Sequence, residues 1–356
     1  MAGVRVFRRE DIPAIVRLRR KVFNRTEQPN DEGLGAYYQQ IFLENPWRNE
    51  SFPSFVYEDR RGVPAGFLGV IPRPMRLGAH GVRAAVSTEF MVDPSERGTA
   101  GFQLLRSFLA GPQDVSISDR ANPPSRRLLE HLGGMTALWF SLCWERVLRP
   151  FEYAVGRLGW RGIPTVTRPL CRLLDGAATR ILPGRYREPR PAATVTGSLD
   201  RRAIVAHLSH VEATDWLVPV YDEASFCWLL ERVAERRALG RVEEVEVLDK
   251  AGGRIGWFIC AFGPDLRAEV VHMAACDNRH RDVFDHLCYH AWQRGAIVLS
   301  GRLDPQFVPC FAEDRLHFTL GEPWTIVHSR RPELLAAFQR GKVSLSRLDS
   351  EWWLGF

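Results

Sequence analysis

The stretch of sequence that decides the fold is residues 87–109, STEFMVDPSERGTAGFQLLRSFL. Its first part is rich in β-forming residues and predicts a strand, and its last part carries apolar residues at helical spacing. The turn between them is rich in Gly and Ala. Such a turn presents unpaired backbone N–H groups at the positive end of the helix dipole, which suits a phosphate group. The stretch therefore predicts a strand, an anion-binding turn and a helix.

The segments on either side extend this pattern into a mixed α/β domain. The strand VRVF and the amphipathic helix EDIPAIVRLRRKVF open the chain, a polar and aromatic stretch occupies residues 24–50, and FPSFVYED and GVPAGFLGVIPRPMRLG read as strands. After residue 109 come the strand DVSIS, the helix NPPSRRLLEHLGG and a final strand, TALWFSLCWERVL. The order β-α-β-β-β-α-β-α-β predicts a mixed, mostly antiparallel sheet flanked by helices.

Two motifs in this half resemble those of the GNAT acetyltransferase family. One is Arg97-Gly98-Thr99-Ala100-Gly101-Phe102, between the central strand and its helix, and the other is Asn122-Pro-Pro-Ser125-Arg-Arg-Leu-Leu-Glu-His-Leu-Gly-Gly134. The resemblance covers roughly residues 3–148. It implies a protein that transfers an acyl group from acetyl-CoA or another acyl-CoA directly to an amine within a ternary complex, with no covalent enzyme intermediate.

The resemblance also assigns roles to residues of these motifs. The backbone at Met91 and Val92 would pair with the pantetheine arm, and Asn122 and Ser125 would lie near the thioester and the cofactor arm. The pyrophosphate would be held by the amides of Arg97, Gly98, Thr99, Ala100, Gly101 and Phe102.

Three positions depart from the family pattern. Ala100 stands where glycine is usual, and Phe102 stands where glycine or alanine is usual. We expect the Phe102 ring to enter the domain core and leave its N–H free to donate. Leu129 stands where many family members carry a tyrosine, which excludes a general acid at that position.

Transfer to an amine requires a base, because an alkylamine is mostly protonated at neutral pH. Glu89, on the central strand, matches the position of the base in many GNAT enzymes, and its alternative role is that of a solvated or ion-paired strand residue. Asp119, with Ser118, ends the next strand and would either orient water or the amine or cap the following turn.

The second half of the chain repeats the order of elements without the phosphate turn, because DNRHRDVFDHL has no glycine before its helix. We therefore predict two GNAT-like domains. Residues 1–148 form the acyl-CoA-binding catalytic domain, residues 149–195 a basic Pro/Arg-rich connector, and residues 196–356 a degenerate domain that shapes the acceptor site. An internal duplication explains this arrangement.

The connector carries nine arginines between residues 149 and 190 and a predicted basic amphipathic helix, PLCRLLDGAATRIL. It serves either ordinary packing between domains or contact with an anionic partner, such as lipid headgroups at the membrane surface or an acidic acyl-carrier protein. No motif accompanies the charge that would indicate nucleic acid. No apolar run is long enough to span a membrane and no signal peptide is evident, so we expect a cytoplasmic protein.

Three functions remain open from the sequence. The first is N-acylation of a small amine, such as an amino sugar or an amino acid derivative, by analogy with tandem GNAT-like proteins of bacterial cell-envelope pathways. The second is a non-catalytic acyltransferase-fold binding protein, and the third a Fem-like transferase that uses aminoacyl-tRNA. No metal is expected, because the spacing of Cys276, His280, His286 and His290 matches no known metal motif.

Overall fold

The computed structural model describes residues 2–23, 29–157, 164–181, 188–191, 194–210, 215–314, 316–321 and 323–354. The chain forms two compact units. The first comprises residues 1–141, 205–231 and 321–356, and the second comprises residues 142–204 and 232–320. Each unit contains one mixed, mostly antiparallel sheet with helices packed on it, so the predicted fold class is confirmed.

The described residues contain fifteen strands and eleven helices. The strands are β1 Gly3–Val6, β2 Phe55–Glu58, β3 Pro64–Leu77, β4 His80–Val92, β5 Val115–Ala121, β6 Met135–Thr136, β7 Leu142–Val147, β8 Thr194–Ser198, β9 Leu217–Pro219, β10 Arg241–Asp249, β11 Arg254–Phe262, β12 Arg267–Ala275, β13 Val298–Arg302, β14 His317–Leu320 and β15 Trp324–His328. The helices are α1 Ile12–Val22, α2 Asp31–Leu43, α3 Thr99–Leu109, α4 Pro123–His131, α5 Pro150–Arg157, α6 Pro164–Ile181, α7 Arg201–His210, α8 Glu223–Glu235, α9 His280–Gln293, α10 Val308–Glu313 and α11 Pro332–Gln339.

The sheet of the first unit has the order β1-β2-β3-β4-β5-β15-β6, with β9 also paired to β3. Its neighbours are antiparallel except β4 and β5, which are parallel and connected through α3. Leu104 and Phe108 of α3 pack in one core cluster with Leu68, while Phe338 of α11 packs in another with Val86. Apolar side chains alternate along the strands, so each face of the sheet buries its own core.

The sheet of the second unit has the order β14-β7-β13-β12-β11-β10-β8. Its parallel pair is β12 and β13, connected through α9, in the same position as the β4–α3–β5 connection of the first unit. Trp144 of β7 is fully buried and packs against Phe284 of α9, with ring centroids 5.6 Å apart.

The structure corrects two element predictions. The predicted final strand TALWFSLCWERVL is interrupted by a 3-10 turn at Leu138–Ser141, so β6 joins the first sheet and β7 joins the second. The helix α2 occupies part of residues 24–50, where no element is predicted, and the Asn30 side chain caps it by accepting from Gly33 N–H.

The two units do not follow the predicted boundaries at residues 148 and 195, because neither unit is continuous in sequence. The first sheet takes β9 and β15 from later parts of the chain, and the second takes β7 from an earlier part. The strand β15 lies between β5 and β6, so the first unit requires residues 321–356 to complete its sheet.

The carboxyl-terminal segment packs on the first unit. Trp353 is 2% exposed and its ring lies 5.3 Å from that of Trp228. Within the described ranges, no helix is both long enough and apolar enough to cross a membrane.

Candidate functional site

A β-bulge interrupts β4 at Glu89. Phe67 of β3 lies opposite Met91 and Gly69 lies opposite Thr88, so one residue of β3 faces two residues of β4. Glu89 has a φ of 49°, which is rare for a residue with a side chain. A bulge bends its strand and re-aims the side chains that follow it.

The strands β4 and β5 separate immediately before this bulge. Their parallel pairing runs from Ala84 and Val115 to Ser87 and Ser118 and stops there, although β4 continues to Val92 and β5 to Ala121. In the described part of the chain, residues 88–92 therefore have no strand partner on the β5 side. A strand edge of this kind can hydrogen-bond an extended ligand as though the ligand were another strand.

The turn after β4 leads into the amino terminus of α3. Gly98 precedes the helix with a φ of 100°, and no side chain caps the first turn. Arg97, Gly98 and Thr99 are exposed, so their backbone is accessible to solvent. An uncapped helix amino terminus combines free N–H groups with the positive end of the helix dipole and favours an anion.

The other predicted members of the anion site take different positions. Ala100 is fully buried in the core under α3, and Gly101 is buried against the Phe90 ring. Phe102 N–H donates to the carbonyl of Gly98 at 3.1 Å, and its side chain is only half-buried. The expectation that this N–H is free and the ring lies in the core is therefore wrong, because Phe102 already occupies the first full helical turn.

An ion pair anchors the start of the turn. Lys21 Nζ lies 2.6 Å from a carboxylate oxygen of Asp93, and the other oxygen accepts from Ser95 N–H. The hydrogen bond from Lys21, together with that from Ser95, lowers the pKa of Asp93 to about 2. The carboxylate thus stays ionised and fixes the backbone that leads to Gly98.

Asn122 and Ser125 lie at the start of α4, directly after β5. The side-chain oxygen of Asn122 accepts from Ser125 N–H at 2.9 Å and so caps this helix. Asn122 is exposed and Ser125 is half-buried. Leu129 is buried in the core, as expected for a residue with no chemical role.

Glu89 is held by an ion pair. Its Oε2 contacts Arg19 Nη1, and the Tyr38 hydroxyl donates to the same oxygen at 3.1 Å. The Arg19 and Glu89 side chains are 6% and 10% exposed. Glu89 is therefore ion-paired in the folded protein.

Asp119 is completely buried on β5. The hydroxyl oxygen of Thr325, on β15, lies 3.1 Å from Asp119 Oδ1. Ser118 is the last residue of β5 in register with β4. Both residues thus lie where the two strands separate.

The structure adds one carboxylate that the sequence did not indicate, Glu351 in the carboxyl-terminal segment. Its Oε1 accepts from Arg120 N–H at 2.7 Å, and its carboxylate also accepts from the Thr88 hydroxyl. Burial raises the pKa of Glu351 to about 7, with the charge of Asp119 adding to this effect and both hydrogen bonds opposing it. No motif surrounds Glu351, and its only sequence signal is the adjacent tryptophan pair.

Two of the residues considered as metal ligands, His280 and His290, contact other side chains. His290 contacts Glu243 at 2.7 Å, and the His280 ring packs on Phe307. Burial lowers the pKa of His286 and raises that of Cys276. Among the described residues, no group of three or more His, Cys, Asp or Glu side chains could hold a metal ion.

Comparison with known proteins finds the same fold at low sequence identity. No family model matches the chain, and a search of curated proteins finds no match. A probable N-acyltransferase from Enterococcus faecalis V583 is similar over 92% of this chain and 73% of its own, with 10% identity and a TM-score of 0.59. A GCN5-related N-acetyltransferase from Anabaena variabilis is similar over 93% of this chain and 74% of its own, with 14% identity and a TM-score of 0.58.

A third similar structure is Saccharomyces cerevisiae N-myristoyltransferase with bound myristoyl-CoA. It matches 92% of this chain and 77% of its own, with 10% identity and a TM-score of 0.50. Together these likenesses show that the chain has the fold of the GCN5-related N-acetyltransferases, the GNAT fold.

Proposed function

From the GNAT fold of this chain, we propose that the protein is an acyl-CoA-dependent N-acyltransferase whose donor site lies in the first unit. The observation that carries the proposal is the conjunction of the β4 bulge, the open β4 edge at residues 88–92 and the uncapped start of α3 at Gly98. Each feature alone occurs in many proteins. Here they follow one another along one continuous segment, so an extended thioester could pair with the open edge while its pyrophosphate lies at the start of α3.

In this proposal the pantetheine arm pairs with the backbone at Met91 and Val92, on the open edge of β4. The pyrophosphate lies at the exposed amides of Arg97, Gly98 and Thr99. The two contacts direct the thioester toward the gap between β4 and β5. Asn122 and Ser125, at the far side of that gap, contribute an amide nitrogen and a hydroxyl near the cofactor arm.

The acceptor is a primary amine of a small molecule, such as an amino sugar or an amino acid derivative. The amine nitrogen attacks the thioester carbonyl carbon, the carbon–sulfur bond breaks, and the products are an amide and the free thiol of CoA. The structural neighbours support this class of reaction, since one is a GCN5-related N-acetyltransferase and another holds myristoyl-CoA.

The helix α6 supports contact with an anionic surface. Leu170, Leu173 and Ile181 are exposed on it, whereas Cys171 and Asp175 are buried. Asp175 accepts from Phe151 N–H at 3.0 Å, which connects α6 to α5 through its inner face. An exposed apolar face flanked by arginine is typical of helices that lie on a lipid surface, and an acidic acyl carrier offers similar charge.

The donor site is tested by calorimetric titration with acetyl-CoA and with longer acyl-CoAs. We compare wild type with Thr99→Glu and Thr99→Gln, because Thr99 is exposed in the first turn of α3. A glutamate there suits the helix dipole and preserves folding, but it repels the pyrophosphate. Binding by wild type and by Thr99→Gln that Thr99→Glu weakens at least tenfold supports the proposal.

Absence of binding by the wild type to any acyl-CoA contradicts the proposal and favours the aminoacyl-tRNA alternative. Binding of acyl-CoA without turnover of any amine favours the non-catalytic alternative.

A further inference from the structure

We infer that Glu351 is the general base that removes a proton from the acceptor amine. This inference rests on the proposed function. It assigns the base to a residue of the carboxyl-terminal segment and not to Glu89, which the family resemblance implies.

The position of Glu351 is the first support. Its carboxylate accepts hydrogen bonds from Arg120 N–H on β5 and from the Thr88 hydroxyl on β4. Thr88 directly follows Ser87, the last residue of β4 that is in register with β5. The carboxylate therefore lies at the mouth of the gap between the two strands, where the donor geometry directs the thioester.

The hydrogen-bond partners of Glu351 are the second support. Glu351 is half-buried and accepts from a backbone N–H and a hydroxyl, both of which are uncharged. Glu89 is also half-buried, but its Oε2 contacts the Arg19 guanidinium and accepts from the Tyr38 hydroxyl. The Glu89 oxygen is thus already engaged by a cation, whereas the donors to Glu351 are neutral.

The charges around Glu351 are the third support. Burial and the nearby Asp119 carboxylate raise its pKa, while the Thr88 hydroxyl and the charge and N–H of Arg120 lower it, and the resulting pKa is about 7. A general base is most effective when its pKa lies near the working pH. The charge of Asp119 thus raises the proton affinity of Glu351.

In the proposed reaction, proton transfer to Glu351 precedes acyl transfer. The acceptor enters as an ammonium ion, and the Glu351 carboxylate takes one of its protons. The neutral nitrogen attacks the thioester carbonyl carbon, a carbon–nitrogen bond forms, and the carbon–sulfur bond breaks with its electron pair on sulfur. The second proton leaves the nitrogen and ends on the thiolate, and Glu351 releases its proton to solvent.

The test measures kcat/KM against pH, with acetyl-CoA and the best amine from an acceptor screen. Glu351→Gln should lower kcat/KM at least a hundredfold at pH 7 and remove the rise in rate that wild type shows near that pH. Glu89→Gln should keep that rise. Glu333→Gln, at an exposed glutamate on α11, is the surface control.

A weakly basic amine separates catalysis from structure. An acceptor whose pKa lies below about 5, such as a hydrazide, is already neutral at pH 7 and needs no base before it attacks. Glu351→Gln should therefore recover most of the wild-type rate with a hydrazide. Binding of acetyl-CoA should not change in this variant.

Two results would overturn the inference. One is a Glu351→Gln protein with wild-type kcat/KM and pH dependence. The other is a Glu351→Gln protein whose kcat/KM falls by the same factor with the alkylamine and with the hydrazide. A wild-type protein that acylates no amine contradicts the proposed function itself. This result differs from a failure of the inference, because it is seen before any variant is made.

Discussion

Glu351 Oε1 accepts a hydrogen bond of 2.7 Å from the backbone N–H of Arg120, a residue 231 positions earlier in the chain. Two residues before Glu351, Asp349 forms a buried ion pair with Arg73 at 2.8 Å. The carboxyl-terminal segment is thus fixed to β3 and to β5 of the first sheet. Because β15 also completes that sheet, the end of the chain is part of the candidate site and not an appendage to it.

The raised pKa of Glu351 predicts a pH-dependent stability. In the folded protein the Glu351 carboxyl keeps its proton up to about pH 7, whereas in the unfolded chain, with the ordinary pKa of 4.5, it loses the proton at lower pH. The contribution to stability is therefore complete below pH 4.5 and is lost as the pH rises through 7. Glu351→Gln, which cannot ionise, should be more stable than wild type at pH 8.5 by on the order of 1 kcal/mol, because solvent contact reduces the full effect.

Thermal unfolding of both proteins at pH 5 and pH 8.5 provides the measurement. The difference should be confined to pH 8.5. An equal difference at both pH values would mean that ionisation of Glu351 is not its cause.

The Arg73–Asp349 pair predicts a large loss of stability when one partner is removed. Both side chains are at least 96% buried, and Tyr221 and Ser346 also donate to Asp349. Arg73→Met leaves a buried carboxylate without its cation, which should cost about 3–5 kcal/mol. Lys342→Met, in the exposed pair with Asp215, should cost no more than about 1 kcal/mol. Urea unfolding measures both, and similar values for the two variants would contradict the assignment.

Gly98 predicts a selective loss of donor affinity. Its φ of 100° is strained for alanine, which should distort the turn and lower affinity for acetyl-CoA about tenfold or more. Gly62→Ala is the matched control, because Gly62 also has a positive φ, 76°, and open space around it, in a turn between β2 and β3. Calorimetry should show reduced affinity for Gly98→Ala alone, and a similar reduction in both variants would point to general destabilisation.

The exposed face of α6 predicts binding to anionic lipid. Leu173 is 71% exposed, so Leu173→Glu should not disturb the fold but should reduce co-sedimentation with vesicles that contain phosphatidylglycerol. Leu320→Glu, at a residue 53% exposed on β14, is the control. Equal sedimentation of all three proteins would exclude this face as a membrane contact, and binding to an acyl carrier instead would identify the other anionic partner.

Local patterns in the sequence predict most elements, but not their partners in the sheets. The run at residues 136–148 is mostly apolar and has no Gly or Pro, so nothing local shows that the chain turns at Leu138–Ser141 and enters a different sheet. Likewise, residues 324–328 pair with β5, about two hundred residues earlier. Such pairings depend on tertiary packing, which periodicity does not encode.

Some features of the candidate site could likewise be predicted from the sequence, and others could not. The turn at Gly98 is visible because glycine, an uncapped helix start and apolar spacing occur together within a few residues. Helix α2 is hidden because Gly33 and Gly35 interrupt its apolar pattern. Glu351 is hidden because its chemistry comes from Thr88, Asp119 and Arg120, which only the folded sheet brings near it.

The central claim is tested most directly by amine-dependent release of free CoA thiol from acetyl-CoA, with the acceptor analysed by mass spectrometry. The account predicts that wild type releases CoA only when a suitable small amine is present, and that the amine gains one acetyl group for each thiol released. Binding of acetyl-CoA with no amine-dependent release across a panel of amino sugars and amino acid derivatives, tested also with longer acyl-CoAs, would contradict it.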